Sequence, residues 1–166
     1  MFDFGEFSMT DEELAAFLME KPRFASLASL RKDGSPFVVP LGYLYESPYM
    51  YFTFAPERSV VKRLRRDPRV AVTVYNEAFP VKFVLVTGCV EEYADDNLEL
   101  TIRKHRWMMS RVPRIDHAEF ERNHLALGRV VFRLKLERDN VSSMDNYKMQ
   151  SLERQASVLP GESAAT

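Results

Sequence analysis

The stretch YMYFTFAPERSVVKRLRRDPRVAVTVY, residues 49–75, decides the fold of this chain. Its first six residues are mostly aromatic, which is typical of a half-buried strand. The apolar residues that follow have helical spacing, and Asp67-Pro68 ends the helix because a residue before proline avoids the α region. Residues 69–75 then alternate between valine and other residues, which predicts another strand. The stretch is therefore a strand, a short helix and a second strand.

The predicted helix is basic, and its start is a candidate anion site. Free N–H groups and the helix dipole favour a phosphate at such a start. Arg58 and Ser59 would add side-chain donors. There is also a purely structural interpretation, since basic residues late in a helix suit its negative end and form a solvated face. The residues alone leave both interpretations open.

The composition predicts a single soluble domain. The chain has 166 residues and is 46% hydrophobic and 28% charged, which is ordinary for a globular protein. Its net charge of −1 gives no overall attraction to nucleic acid or to an anionic membrane. No apolar run approaches the roughly 18 residues that span a bilayer. The first ten residues lack the basic and long apolar regions of a signal peptide. The single cysteine allows no intramolecular disulfide, and together these features predict a cytoplasmic protein.

Six strands with short links and few helices predict a mainly β protein, an antiparallel barrel, since closure removes exposed sheet edges. The strands are predicted over residues 23–31, 36–45, 49–54, 69–75, 81–93 and 129–138. Helices are predicted after a Thr10–Glu13 capping box, from Asp95 or Asp96 to about Ser110, and over residues 118–127. Residues 139–148 are polar and carry no strand prediction. The domain is predicted over residues 10–148, with a flexible arm over 1–9 and a disordered tail over 149–166.

Two residues of the second strand have unusual backbone chemistry. Pro40 removes a ladder donor, so it must lie at an edge, at a bulge, or where something other than a strand faces the backbone. Gly42 lets another group approach closely. The turn before this strand is supplied by Asp33-Gly34, which is typical of a hairpin.

Other kinds of site find little support in the sequence. There is no glycine-rich dinucleotide loop and no phosphate-binding Walker loop. His105, His117 and His124 lack metal-ligand spacing, so no metal site is predicted. Cys89 lies in an apolar strand pattern and is interpreted as a core residue. The residues alone therefore lead to a small β-barrel with a possible anion site near residue 58, and to no reaction.

Three pieces of sequence occur in an order that resembles a known family. They are DGSPFVVPLGY at residues 33–43, LRRDPRVAVTV at 64–74 and the closing VSSMDNYK at 141–148. Over about residues 10–148 the chain resembles the pyridoxamine 5'-phosphate oxidase-like superfamily of flavin-binding split barrels, which includes flavin/deazaflavin-dependent oxidoreductases. The resemblance implies a six-stranded antiparallel Greek-key barrel. It also implies a homodimer with two cofactor sites at the subunit interface.

The resemblance further implies FMN as the cofactor and hydride transfer between flavin N5 and an unknown small-molecule substrate. The ring would face backbone groups of Val38, Val39, Pro40 and Leu41. The phosphate would lie near the end of the third strand and the start of the basic helix. Its candidate ligands are Thr53, Arg58, Ser59, Lys62 and Arg63. No catalytic acid or base is assigned, because the ring carries out the redox chemistry.

The chain departs from the family pattern at Val60, where many relatives carry a lysine. Arg58 or Lys62 could replace that charge, although neither stands at the matching position. Two alternatives therefore stay open. One is a reductase that uses the 8-hydroxy-5-deazaflavin coenzyme. The other is a non-catalytic flavin- or haem-binding protein of the same fold, with a histidine as the haem ligand.

Overall fold

The computed structural model describes residues 4–112, 116–148, 150 and 151. Within this part of the chain, nine strand segments form two antiparallel sheets, accompanied by four α-helices and a 3-10 helix over Gly5–Phe7. The strands are β1 (Phe24–Leu30), β2 (Pro36–Gly42), β3 (Leu44–Glu46), β4 (Tyr49–Phe54), β5 (Arg69–Tyr75), β6 (Lys82–Cys89), β7 (Glu91–Tyr93), β8 (Val130–Lys135) and β9 (Val141–Asp145). The helices are α1 (Asp11–Met19), α2 (Ser59–Arg66), α3 (Glu99–Met109) and α4 (His117–Leu127). The predicted mainly β fold with few helices is confirmed.

Two strands that the sequence predicts as long single ones are each divided into two strands, one in each sheet. One sheet has the order β2-β1-β5-β6-β9 and the other the order β3-β4-β8-β7. The chain passes between them at Tyr43, which separates β2 from β3, and at Val90, which separates β6 from β7. The Tyr43 hydroxyl is buried and donates to the Leu18 carbonyl of α1 at 3.1 Å. The Val90 N–H donates to the Pro68 carbonyl at 2.9 Å.

β9 is the one strand that the sequence prediction lacks. It pairs with β6 although its residues are polar. Ser142, Ser143 and Asp145 are all buried, and the Asp145 carboxylate pairs with the Lys82 ammonium at 2.6 Å. Buried polar groups with partners conceal the apolar alternation that identifies a strand. Two divided strands and β9 account for the difference between six predicted strands and nine segments.

Residues 4–9 lie against the barrel. The Phe4 and Phe83 rings make an edge-on contact with centroids 5.4 Å apart. The Met9 N–H donates to the Ser143 hydroxyl at 3.0 Å, and the Lys148 ammonium donates to the Ser8 carbonyl at 2.7 Å. The predicted tail, residues 149–166, lies outside the described residues except for 150 and 151. The division into arm, domain and tail stays a prediction.

The core fixes where α2 begins. Val60, Val61 and Leu64 of α2 are buried in the main hydrophobic cluster with the inward residues of both sheets, and burying such side chains stabilises by about 1.5–3 kcal/mol each. The basic face of α2 is left outward. The first residue of α2 therefore lies just beyond the end of β4. No helix in the described part of the chain is long and apolar enough to cross a bilayer.

Candidate functional site

The start of α2 has free donors. Arg58 is the N-cap residue and has an extended backbone, but its side chain makes no capping hydrogen bond. Within the described residues, the N–H groups of Ser59 and Val60 have no acceptor. The Val60 side chain is only 6% exposed and packs in the core. Position 60 therefore offers a backbone donor and no charge.

Arg63 connects α2 to the predicted ring-binding strand. Its guanidinium lies over the Phe37 ring of β2, 4.1 Å from the centroid, and donates to the Ser59 hydroxyl at 3.2 Å. Burial lowers the pKa of Arg63, with the charges of Arg31 and Arg66 acting in the same direction. The Arg63 Nε is buried without a hydrogen-bond partner in the described structure. The contact with Phe37 brings the predicted ring site and the predicted phosphate site together.

Thr53 meets a lysine that the sequence analysis did not select. The Lys104 ammonium, from α3, donates to the Thr53 hydroxyl at 3.1 Å. Lys104 is half-buried, and burial, reinforced by the positive charge of Arg129, lowers the pKa of its ammonium to about 8. A buried ammonium is costly without an anionic partner.

Arg129 lies close to the same place. Phe54, the last residue of β4, is opposite Val130 of β8, so Arg129 stands where the chain leaves β4 for α2. Burial lowers the pKa of Arg129, and nearby Arg58 acts in the same direction while Glu57 opposes it. The Arg129 Nε is buried and has no partner among the described residues. We call Arg58, Lys104 and Arg129 the basic cluster.

The two remaining predicted phosphate ligands, Lys62 and Ser59, make few described contacts. Lys62 is exposed on α2, and no contact to the basic cluster is described for it. Ser59 is exposed and accepts only the Arg63 contact described above. Lys104 and Arg129 lie far from α2 along the chain. No local pattern in the sequence marks either of them as part of this site.

The predicted ring-binding residues, Val38, Val39, Pro40 and Leu41, lie on an edge strand. Among the described strands, β2 pairs only with β1, in continuous register from Phe24–Gly42 to Leu30–Pro36. Val38 and Pro40 are exposed, whereas Val39 and Leu41 pack against the core. Of the three places that the sequence allows for Pro40, the structure shows an edge strand. Since strand prolines turn the missing N–H away from the ladder, Pro36, Val38 and Pro40 are expected to turn their backbone groups toward the open edge.

Gly42 accommodates part of the protein itself. A β-carbon at this position would lie 2.8 Å from the Met108 Cε and 2.9 Å from its Sδ. A side chain at position 42 would therefore require the flexible end of the Met108 side chain to shift. Gly42 therefore allows the end of α3 to pack on the end of β2.

A groove of about 540 Å³ opens beside Pro40. Its wall includes Phe24 and Ser26 of β1, Tyr75 of β5 and the side chain of Arg111. Phe24 is 67% and Tyr75 is 53% exposed. The groove places apolar surface and three basic residues, Lys21, Arg23 and Arg111, next to the strand predicted to face the ring.

The histidines lie away from this groove. His105 is buried in α3, and its ring centroid is 5.6 Å from that of His117. The side chain of His124 lies outside the described residues. In the described part of the chain, no group of three or more histidine, cysteine, aspartate or glutamate residues could hold a metal ion.

Comparison with known proteins now identifies the family. A family model described as pyridoxamine 5'-phosphate oxidase matches residues 10–139, well over half of the chain. The chain belongs to the pyridoxamine 5'-phosphate oxidase family. The resemblance seen in the sequence is therefore confirmed. No curated protein matches the chain significantly.

Solved structures share the fold of this family member. A conserved hypothetical protein from Mycobacterium tuberculosis has a TM-score of 0.71 at 20% identity, covering 100% of this chain and 98% of its own. An FAD-binding protein from Mesorhizobium loti has a TM-score of 0.57 at 29% identity, covering 82% and 93%. An F420 reductase has a TM-score of 0.56 at 23% identity, covering 72% and 90%.

Proposed function

We propose that this family member is an oxidoreductase that binds FMN and acts on a small molecule. The observation that carries this proposal is the contact between Arg63 and Phe37, with ring centroid and guanidinium carbon 4.1 Å apart. It joins an open strand edge to a helix start with free donors. A flavin mononucleotide needs both, a planar surface beside backbone groups and an anion site a short distance away.

The described residues fit such a cofactor. Val38, Val39, Pro40 and Leu41 would hold the ring along the open edge of β2. Thr53, Arg58, Ser59, Lys62 and Arg63 would hold the phosphate, with the N–H groups of Ser59 and Val60 as further donors. When bound, FMN supplies hydride transfer at its ring N5. The protein's own part is to orient the ring, to pair the phosphate charge and to exclude water from the groove beside Pro40.

The outer face of the five-stranded sheet supports a homodimer. It presents small and apolar residues, including Ser26, Ala28 and Ala71, together with the exposed Phe24 and Tyr75. An exposed apolar face of this kind is typical of a protein interface. A second copy on this face would also close the groove beside Pro40. The cytoplasmic location, and the lack of membrane and nucleic-acid partners, stay predictions.

A deazaflavin-dependent reductase is the second candidate. It would use the same strand edge and the same helix start, and a structural neighbour is named an F420 reductase. A third candidate, a flavin- or haem-binding protein without catalysis, shares the fold. The cofactor that remains bound separates FMN, deazaflavin and haem binding, and turnover of the bound flavin separates an enzyme from a flavin-binding protein without catalysis.

The test is to load the full chain with excess FMN, to remove free FMN, and to pass the sample through size-exclusion chromatography with absorbance and light-scattering detection. We expect flavin absorbance in a peak of twice the chain's 19.3 kDa. A peak without flavin absorbance overturns the proposal. Parallel loading with the deazaflavin coenzyme or with haem then identifies the candidate that replaces it.

A matched pair of variants locates the phosphate. Replacing Arg58 and Lys62 with alanine should weaken FMN binding by a few kcal/mol, because a hydrogen bond to a charged group contributes about 1.5–3 kcal/mol. Replacing Arg65 and Arg66 with alanine changes the net charge of the same helix equally but should leave FMN affinity nearly unchanged. Equal effects of the two double variants would place the phosphate elsewhere.

A further inference from the structure

We propose that Lys104 and Arg129 form a phosphate-binding site beside the start of α2, supplying the charge that Val60 does not. This inference rests on the proposed function for the identity of the natural ligand, which would be the flavin phosphate. The site itself follows from the described side chains. Its two cations come from α3 and from the residue before β8, neither of which belongs to the segment that resembles the family's phosphate motif.

The first support is the lack of anionic partners. In the described part of the chain, neither Lys104 nor Arg129 has a carboxylate within 4 Å, although eleven other ion pairs are present. Both cations are partly buried. Burial of like charges without a counter-charge is unfavourable. A bound anion would supply that missing charge.

The second support is unused hydrogen-bonding capacity. An ammonium has three donors, and only one contact, with the Thr53 hydroxyl at 3.1 Å, is described for Lys104. The Arg129 Nε is buried and unpaired in the described structure. The N–H groups of Ser59 and Val60 are also unpaired in the described structure. Unused donors of this kind fit the several oxygen atoms of a phosphate.

The third support is the position of residue 60. The Val60 side chain is 6% exposed and packs in the core, so no side-chain charge can come from position 60. Arg129 directly precedes the β8 residues that lie opposite Thr53 and Phe54, and Thr53 accepts from Lys104. The charge of Arg129 lowers the pKa of Lys104, and the charge of Arg58 lowers that of Arg129. The basic cluster therefore extends from the helix start toward Thr53 and replaces one local lysine with two distant cations.

A phosphate at this site could belong to the cofactor or to a substrate, and two probes distinguish these sources. Riboflavin is FMN without its phosphate, so the ratio of their affinities reports the contribution of that group. Inorganic phosphate alone reports the site whether or not a flavin binds. Both measurements use the full chain.

The experiment measures binding of FMN and riboflavin to the wild type and to Lys104→Met, Arg129→Met and Arg65→Met. Lys104→Met and Arg129→Met should each weaken FMN binding roughly 10- to 100-fold, with riboflavin affected less than about twofold. Arg65→Met removes the same charge from the far end of α2 and should leave the FMN-to-riboflavin ratio unchanged. Lys104→Arg keeps the charge and should restore most of the ratio, which a folding defect would not do.

The second readout is an NMR titration of lysine side chains with inorganic phosphate, with Lys104→Met assigning the Lys104 signal. Phosphate should raise the pKa of Lys104 from about 8 toward the ordinary lysine range. The charged group that acts on this ammonium is Arg129, which is itself near Arg58 and Glu57. A phosphate-induced shift in Lys104 therefore reports the anion itself.

The outcomes separate this inference from the proposed function. If flavin fails to bind but phosphate raises the pKa of Lys104, the site stands, with a substrate phosphate as its ligand, and the FMN proposal fails. If FMN binds, the variants keep the wild-type ratio and phosphate leaves Lys104 unchanged, the FMN proposal stands and the site is overturned. An altered ratio together with a shifted pKa supports both.

Discussion

The two ends of α2 carry similar numbers of cations and use them differently. At its C-terminal end, Arg65 makes a two-point contact with the Glu92 carboxylate, at 2.9 and 2.7 Å. Arg66 donates to the Leu30 carbonyl at 2.6 Å, and the neighbouring Arg69 pairs with Asp67 at 2.7 Å. At the N-terminal end, no described residue pairs a carboxylate with any member of the basic cluster.

The cations at the C-terminal end of α2 have partners within the protein, whereas no carboxylate partner is described for the cations at its N-terminal end. The chain has 24 acidic residues for 23 basic ones, so a shortage of carboxylates does not explain the unpaired end. Paired cations at one end hold α2 to β7 and β1. The unpaired cations at the other end favour an anion that arrives from outside.

The largest effect should come from Val60→Lys, which places the family's lysine at the position where many relatives have it. Since this side chain packs in the core, the variant should lose about 3 kcal/mol or more of the free energy of unfolding. Urea denaturation of the ligand-free protein measures this loss. Lys62→Val, the reverse exchange on the exposed face of the same helix, should change stability by less than about 0.5 kcal/mol. A stable Val60→Lys variant with tighter FMN binding would mean that position 60 faces the phosphate.

A smaller effect of opposite sign is expected from Lys104→Met. Burial holds the pKa of Lys104 near 8 in the folded state, so at pH 7 the charged ammonium destabilises the ligand-free protein. The substitution should raise the free energy of unfolding by about 1–3 kcal/mol at pH 7. Denaturation at pH 7 in phosphate-free buffer checks the sign, and a loss of stability would show that the ammonium already has a partner.

The pH dependence of this difference follows from the same linkage. A lysine with a lowered pKa keeps its full destabilising effect below about pH 8, where it is charged in both states. Above that pH the folded protein releases the proton before the unfolded chain does, so the wild type gains stability relative to Lys104→Met. The difference between the two should shrink between pH 8 and about 10.5. A constant difference would assign the effect to packing alone.

The smallest effect should come from Arg65→Met at the paired end. Both side chains of the Arg65–Glu92 pair are about half exposed, and exposed ion pairs contribute little to stability. We expect a small loss at low salt, and a smaller one in 1 M salt because screening weakens exposed pairs. Thermal unfolding at both salt concentrations measures it. A loss larger than that of Val60→Lys would contradict the division between the two ends.

The sequence predicts most of the fold because most elements carry strong local signals. The Thr10–Glu13 capping box forms with both of its hydrogen bonds, and helix α4 over His117–Leu127 matches its predicted range closely. Asp95 caps α3 by accepting from the Leu100 and Thr101 N–H groups. The sequence does not predict β9, because its buried polar residues interrupt the apolar alternation of a strand. It does not predict the two passages between the sheets, because a barrel corner has no periodic sequence pattern. Cys89 is exposed rather than in the core, because it lies at the end of β6, next to the passage at Val90.

The sequence predicts only those parts of the site that local sequence features mark. The helix start at Arg58 and the strand edge at Pro40 are visible, since a basic helix after a strand and a proline within one are both local features. No pattern in their own segments of the sequence marks Lys104 or Arg129 as part of a site. Only the folding of α3 and β8 around the end of β4 brings them to the site.

Pro40 has a consequence for the protein before it meets any ligand. An open strand edge is a template on which strands of other chains can add, and this leads to aggregation. Two prolines, Pro36 and Pro40, lie at alternate positions on either side of Val38 along β2, and neither can donate to an incoming strand. The two prolines therefore disfavour the addition of a strand from another chain at this edge, even where no ligand covers it.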